Sequence, residues 1–223
     1  DFYNINNGPN WFTNTNWATD SPIATWFGVE VNDNNEVRLI NLDNNNLRGN
    51  LAGESIQDLD KLELLSVSTN QLSGTLPEAI SLLPNLTFLS VRQNNFTGAV
   101  PRGYAGLVNM EILQIQENQL SGDLPDFTNL PNLEFFNIRT NRFVFSDFAE
   151  EFPNYQGQIE TFIYTPQART EVALSRTLAV GEVFTITSRL VGDDLTYQWF
   201  KDNVLIDGET TGSLEITINA EED

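Results

Sequence analysis

The chain has 223 residues, of which 40% are apolar, and none of its apolar runs approaches the ~18 residues that a membrane-spanning helix needs. Its 31 acidic residues against 11 basic ones give a net charge of −20, which excludes nucleic acid as a partner because phosphates would be repelled. Neither cysteine nor histidine occurs, which removes disulfides, thiol nucleophiles, imidazole bases and most ligands of transition metals. The composition therefore predicts a soluble protein that binds no cofactor and no metal.

Residues 1–36 come before the periodic part of the chain and are rich in tryptophan. Trp11, Trp17 and Trp26 can seal the open end of a stacked array, so we predict that residues 1–36 form an N-terminal cap. Stacking on a sugar is the alternative role for these rings. Because the first residues, DFYNINNGPNW, look like the interior of an element, we expect that a signal peptide has been removed and that the protein is extracellular or lies at the cell surface.

Residues 37–146 repeat one pattern five times, with starts 25, 24, 24 and 23 residues apart. The five copies are VRLINLDNNNLRGNL from Val37, LELLSVSTNQLSGTLP from Leu62, LTFLSVRQNNFTGAVP from Leu86, MEILQIQENQLSGDLP from Met110 and LEFFNIRTNRFVF from Leu133. A period of about 20 to 50 residues indicates a solenoid, in which each repeat buries its apolar side against the next one.

The repeats resemble leucine-rich repeats, LxxLxLxxNxL, and the LSGxLP tail resembles the subtype of plant receptor ectodomains and polygalacturonase-inhibiting proteins. The resemblance covers about residues 1–150 and implies a right-handed α/β solenoid with a short parallel sheet and an irregular or 3-10 convex side. The first repeat lacks the proline and the fifth lacks the glycine. Since the cysteine pairs that lock the caps of the plant proteins are absent, a secreted or surface protein of bacterial type is expected.

Alternation along each repeat assigns residues to the core or to turns. The fourth and sixth positions are predicted to point inward: Ile40 and Leu42, Leu65 and Val67, Leu89 and Val91, Leu113 and Ile115, Phe136 and Ile138. The convex return is predicted to bury Ile56 and Leu59, Ile80 and Leu83, Tyr104 and Leu107, Phe127 and Leu130. Turn glycines are expected at Gly49, Gly74, Gly98 and Gly122. The following prolines should keep the next segment extended and prevent a helix: Pro77, Pro101 and Pro125.

The ninth position of every repeat is asparagine, and an inward asparagine can satisfy backbone groups that the bend of the chain leaves unpaired. We therefore predict a structural ladder formed by Asn45, Asn70, Asn94, Asn118 and Asn141. The tenth position should point outward into solvent, at Asn46, Gln71, Asn95, Gln119 and Arg142.

The residues between the buried positions are predicted to face the concave side and to supply the binding surface. An apolar third position beside small polar residues and two arginines is typical of an interaction surface. The candidate ligand-binding residues are Leu64, Ser66, Phe88, Ser90, Arg92, Gln93, Ile112, Gln114, Gln116, Phe135, Asn137 and Arg139. The alternative is that bulky third-position residues only shield the strand edge.

After the repeats, residues 147–169 are predicted to form a C-terminal cap and linker, closed by Phe148, Phe152, Phe162 and Tyr164. Residues 170–223 lose the period and alternate as strands do. YQWFKDNVLI followed by SLEITINAEED resembles an immunoglobulin-like β-sandwich, which implies Trp199 as the core tryptophan and Ser188 at the position of the first cysteine. Because the resemblance implies further strands after Asp223, we expect this module to be incomplete or the protein to be longer.

No catalytic constellation is predicted. Adjacent carboxylates such as Glu150 and Glu151 fall in turns or ends, where neighbouring side chains diverge instead of facing each other across a substrate. The motifs LDNNN and VNDNNE lack the spacing of a calcium loop, so bound calcium would be adventitious.

Together these features predict a non-catalytic recognition or adhesion module that binds a protein through the concave face of the repeats. The alternatives are a carbohydrate-binding module, suggested by the amide- and aromatic-rich surface, and a spacer segment that presents part of a larger surface enzyme or adhesin.

Overall fold

Each repeat contributes short strands to a stacked solenoid in the computed structural model, which describes residues 2–51, 54–168, 179–187, 197, 199–201 and 204–217. The chain divides into two compact units, residues 1–170 and 171–223. The strands are β1 (Val29–Val31), β2 (Val37–Asn41), β3 (Arg48–Asn50), β4 (Leu64–Ser66), β5 (Gln71–Gly74), β6 (Phe88–Ser90), β7 (Asn95–Gly98), β8 (Ile112–Gln114), β9 (Gln119–Leu120), β10 (Phe135–Asn137), β11 (Thr161–Ile163), β12 (Val183–Thr187), β13 (Trp199–Lys201), β14 (Val204–Ile206) and β15 (Ser213–Thr217).

The first unit contains a seven-stranded sheet in the order β1-β2-β4-β6-β8-β10-β11. Strands β2 to β11 of this sheet pair in parallel, and β1 pairs antiparallel with β2 at the N-terminal end. The inward residues predicted at the fourth and sixth positions are all buried, and so are Ile80, Tyr104 and Phe127 on the return of the chain. The core therefore runs the length of the solenoid as a column of stacked layers, one per repeat.

A second parallel sheet, β3-β5-β7-β9, follows the asparagine turn, and the sequence did not predict it. In β5 and β7 a buried leucine or phenylalanine alternates with outward polar side chains, but only two to four residues per repeat take part, which is too few for a period-2 signal. Gly74 has a φ of 82°, and a Cβ there would lie 2.6 Å from Asn50 Oδ1. The dihedral angle therefore favours glycine, whereas the exposed Asn50 side chain could move to admit a Cβ.

The prediction that Pro77, Pro101 and Pro125 keep the next segment extended is wrong. Pro77 and Pro101 are themselves extended, but each is directly followed by a 3-10 helix, and Asp126 after Pro125 caps another. Proline fits immediately before a helix because the first helical turn leaves its N–H groups unpaired anyway. The 3-10 helices are Gly8–Asn10, Ile23–Thr25, Glu54–Asp58, Glu78–Leu82, Arg102–Gly106, Phe127–Asn129 and Phe145–Asp147, and the α-helices are α1 (Phe2–Ile5) and α2 (Phe152–Gln158).

Aromatic clusters cover both ends of the core of the first unit. Trp11 and Trp17 are buried with ring centroids 5.1 Å apart, and Trp26 packs on Trp17 at 4.9 Å. At the other end Phe162 stacks on Phe136 at 5.3 Å, and Tyr155 is fully buried. The indole N–H groups of the three tryptophans donate to backbone carbonyls, so these rings close the solenoid instead of presenting donors to a sugar.

The second unit contains two antiparallel pairs, β12 with β15 and β13 with β14. Leu214 is buried, whereas Trp199, expected in the core, is half-buried and donates its indole N–H to Thr211 O. Ser188 lies outside the described residues, as do Leu190, Leu195 and Ile218. The immunoglobulin-like topology stays a prediction.

Candidate ligand-binding surface

The outward face of the seven-stranded sheet, which we call the concave face, carries one apolar column. The third-position side chains lie in direct register across neighbouring strands, and each is half-buried. This column, which we call the apolar stripe, consists of Leu39, Leu64, Phe88, Ile112 and Phe135. Because the strands are neighbours in a sheet, the stripe is continuous and rigidly spaced.

Four of the predicted binding residues are buried and cannot contact a ligand in this conformation. Ser66, Ser90, Gln116 and Asn137 are each at most 4% exposed. The prediction that they line the accessible surface is wrong because strand alternation sets the direction of a side chain and not whether longer neighbours cover it.

The buried serines form a hydrogen-bonded layer beside the stripe. Ser66 Oγ donates to Asp43 Oδ1 at 2.6 Å and lies 3.2 Å from Ser68 Oγ. Ser68 Oγ lies 2.7 Å from Ser90 Oγ, which donates to Gln114 Oε1 at 3.0 Å. These bonds cross three coil-to-coil boundaries, so they fix the fifth- and seventh-position side chains in place.

The accessible polar candidates are Arg92, Gln93 and Arg139, together with half-buried Gln114. Gln93 has a φ of 54°, and the other eighth-position residues Asn44, Thr69, Glu117 and Thr140 share this left-handed conformation. It turns the eighth-position side chains toward solvent at the end of each strand.

Three eighth-position side chains bond to one another from coil to coil, and we call them with Arg139 the polar ladder. Thr69 Oγ1 donates to Gln93 Oε1 at 2.7 Å, and Gln93 Nε2 donates to Glu117 Oε2 at 2.6 Å. Arg139 Nη2 then donates to Glu117 Oε1 at 3.0 Å. Partial burial alone would raise the pKa of Glu117, but the bonds from Gln93 and Arg139 and the charges of Arg139 and Arg92 together lower it.

The asparagine ladder lies behind this surface. Asn94 Nδ2 donates to Val67 O, Val91 O and Arg92 O at 3.0–3.2 Å, and Asn94 Oδ1 accepts from Leu72 N at 2.9 Å. The same pattern recurs at Asn70, Asn118 and Asn141. Asn45 donates to Thr13 O in the N-terminal cap and accepts from Thr13 N. Each amide therefore joins its own coil to its neighbours through backbone groups and is not available to a ligand.

A column of glutamates that the sequence analysis missed borders the apolar stripe. The residue directly before each strand is acidic in four repeats or caps, at Glu63, Glu111, Glu134 and Glu160, and is Thr87 in the third repeat. All four glutamates are exposed. Arg38, the corresponding residue of the first repeat, pairs with Glu30 at 3.1 Å and with Glu63 at 2.9 Å. The spacing of these acids, 48 residues across the interrupting Thr87 and then 23 and 26 residues, is the signal in the sequence.

Two cavities lie elsewhere on the first unit. One of about 420 Å³ is lined by Arg102 and by five carboxylates, those of Asp123, Asp126, Asp147, Glu150 and Glu151. Desolvation, with the nearby charge of Asp123, raises the pKa of Asp147 even though backbone N–H groups bond it. The part of the chain that the structure describes holds no group of three or more acidic side chains arranged to bind a metal. The other cavity, about 180 Å³, is apolar and lies beside Trp17 and Trp26 in the N-terminal cap.

Comparison with known sequences supports the repeat assignment. The family model described as Leucine Rich Repeat matches residues 61–83. Two curated relatives from Arabidopsis thaliana are similar to this chain: a probable inactive receptor kinase, 36% identical over 71 residues, and an inactive leucine-rich repeat receptor-like serine/threonine-protein kinase, 37% identical over 67 residues. The matches cover 31% and 30% of this chain but only 11% and 10% of the two kinases.

Three solved structures have a similar fold. The structure of PEPR1 with AtPEP1 has a TM-score of 0.56 and 26% identity, covering 60% of this chain and 20% of that one. A second structure is the leucine-rich repeat ectodomain of the Arabidopsis thaliana receptor kinase GASSHO1/SCHENGEN3 in complex with CASPARIAN STRIP INTEGRITY FACTOR 2. Its TM-score is 0.57 and its sequence identity 27%, and the match covers 69% of this chain and 20% of that one. The structure of a plant ice-binding protein has a TM-score of 0.59 and 25% sequence identity, and the match covers 64% of this chain and 46% of that one.

The stacked parallel sheet and these similarities define a solenoid of leucine-rich repeats. The chain is similar to leucine-rich repeat proteins, and the family model itself matches one repeat, residues 61–83. No helix among its described residues is long and apolar enough to cross a membrane.

Proposed function

We propose that this protein is a non-catalytic extracellular recognition module whose concave face binds an extended segment of a protein partner. The observation that carries the proposal is the apolar stripe, five half-buried side chains in unbroken register, bordered by Arg92 and Arg139. Two similar solved structures are complexes, PEPR1 with AtPEP1 and GASSHO1/SCHENGEN3 with CASPARIAN STRIP INTEGRITY FACTOR 2, which supports a protein ligand here.

The dimensions of the stripe favour a short contact. Neighbouring strands lie about 4.8 Å apart, so the five strands of the stripe span roughly 19 Å, the length of about six extended residues. Half-buried aromatic and aliphatic side chains gain further burial when a ligand covers them, at roughly 25 cal/mol per Å². The hydrogen-bonded serines behind the stripe keep it ordered before binding, which lowers the entropic cost of association.

A selection of peptides from a random phage-displayed library on the immobilised protein tests the proposal. We expect the selected peptides to lose binding, by about tenfold or more, to a variant carrying Phe88→Ala, Arg92→Ala, Phe135→Ala and Arg139→Ala, because central aromatic and arginine side chains contribute most to such contacts. The matched control carries Arg48→Ala, Gln71→Ala, Ser73→Ala and Thr97→Ala on the second sheet. Equal binding to both variants, with folding intact by circular dichroism, would assign recognition to another surface.

The proposal also covers the second unit and the location of the protein. We infer that the second unit is an immunoglobulin-like spacer or second adhesive module, supported by its antiparallel strand pairs and by the sequence YQWFKDNVLI. We also propose that the protein is secreted and takes part in adhesion. The missing cysteines support a bacterial source. Determining the full reading frame of the gene tests the presence of a signal peptide and of further strands.

A further inference from the structure

The charges around the apolar stripe are unevenly distributed. On the side that precedes the strands lie Glu63, Glu111, Glu134 and Glu160, with Arg38 at the first repeat. On the side that follows the strands, Arg92 and Arg139 lie near the carboxylates of Asp43 and Glu117. A ligand that covers the last three coils of the stripe therefore meets only carboxylates on the first side and charges of both signs on the second.

Among the described residues, the carboxylates at the C-terminal end of the first side have no ion-pair partner. Arg38 pairs with Glu30 and Glu63, and Arg139 pairs with Glu117. Within the described ranges no ion pair involves Glu111, Glu134 or Glu160, although they occupy consecutive coils. Backbone bonds from Glu134 N to Glu111 O and from Thr161 N to Glu134 O hold them one strand spacing apart. Three like charges at this spacing repel one another, and a cation bound among them would offset the repulsion.

We propose that the segment bound by the concave face is basic, with at least two lysine or arginine side chains facing Glu111, Glu134 and Glu160 beside apolar side chains on the stripe. This inference rests on the proposed function and names the chemistry of its ligand. The three carboxylates span two strand spacings, roughly 10 Å, and side chains on one side of an extended peptide recur about every 6.8 Å, so basic residues two positions apart fit them. Lysine and arginine carry only donors, which matches a flank of carboxylates. The net charge of −20 steers such a segment toward the protein.

The test uses an acetylated and amidated nonapeptide of alternating valine and lysine, and the same peptide with glutamate in place of lysine. Binding to the full chain is measured by fluorescence anisotropy at about 0.15 M salt, where attraction to distant charges is screened. We expect the lysine peptide to bind and the glutamate peptide not to bind. We expect Glu111→Gln with Glu134→Gln to weaken lysine-peptide binding about tenfold, since each exposed ion pair contributes modestly.

The matched control, Asp123→Asn with Glu150→Gln, changes the net charge equally at the acidic cavity and should weaken binding less than about twofold. Equal weakening by both double variants would overturn the proposal, because net charge alone would then explain binding. If the glutamate peptide binds and Phe88→Ala with Phe135→Ala abolishes it, the charge assignment fails while recognition by the concave face stands. If neither peptide binds, the basic-segment proposal is overturned, and the library selection decides the proposed function separately.

Discussion

Two polar columns run side by side through the repeats and have opposite roles. The asparagine ladder bonds almost entirely to backbone groups, and four of its five members are buried. The polar ladder bonds side chain to side chain, and its members Thr69, Gln93 and Arg139 are exposed. Both recur once per coil, so repetition of a polar residue does not distinguish structure from function. The burial of the side chain and the identity of its partner do, and the following substitutions test that difference.

The largest expected effect is that of Asn94→Ala. It leaves the buried Leu72 N–H without its partner and removes one donor from each of three carbonyls that keep another donor, so we expect a loss of about 2–3 kcal/mol in the free energy of unfolding. Urea denaturation measures this. The neighbouring Asn95→Ala, on an exposed side chain, should change stability by less than about 0.5 kcal/mol. Similar effects of the two substitutions would contradict the structural role of the ladder.

Ser68→Ala should have a smaller effect. It removes the bonds to Ser66 and Ser90, but Ser90 still donates to Gln114 and Ser66 to Asp43, so we expect a loss of about 1 kcal/mol. Thr69→Ala next to it removes one exposed bond and should cost less than about 0.5 kcal/mol. If the order of these two losses in thermal unfolding is reversed, the serine layer does not stabilise the concave face.

Glu117→Gln should have an effect that depends on pH. The folded pKa of Glu117 lies below its ordinary value of 4.5, so its carboxylate stabilises the fold above that pH, and this contribution is lost as the pH falls through the folded pKa. We expect a loss of about 0.2–1 kcal/mol at pH 7 that disappears in acid. A loss that is independent of pH would show that packing and not charge is responsible.

Asp147→Asn should have the smallest effect, and of opposite sign. Burial raises the folded pKa of Asp147 above 3.8, so ionisation costs stability above the folded pKa and costs nothing below the unfolded one. The asparagine keeps an oxygen for Val144 N–H, so we expect a gain below about 0.5 kcal/mol at pH 7 that disappears in acid. Denaturation midpoints of the two proteins across pH 3–7 check this, and a destabilised variant at pH 7 would contradict it.

The sequence predicted the solenoid because the determinants are local and repeat five times. The spacing of Leu65, Val67 and Asn70 within one coil is enough to specify which side of the strand meets the core. The second sheet was missed because β9 contains only Gln119 and Leu120, and pairing with β7 is what makes it a strand. The sequence predicts Gln116 as exposed because nothing within its own repeat indicates that neighbouring side chains cover it.

What the sequence determined alone is therefore the direction of each side chain, since backbone geometry in a short strand fixes inside and outside from neighbours along the chain. The tertiary structure decided accessibility and pairing. Whether Ser90 is buried, whether Arg139 meets Glu117, and whether Glu111 lacks a counter-charge all depend on residues one coil away, about 24 positions along the chain. Coil-to-coil contacts of this kind turn a periodic sequence into a surface on which an apolar stripe lies beside a column of glutamates.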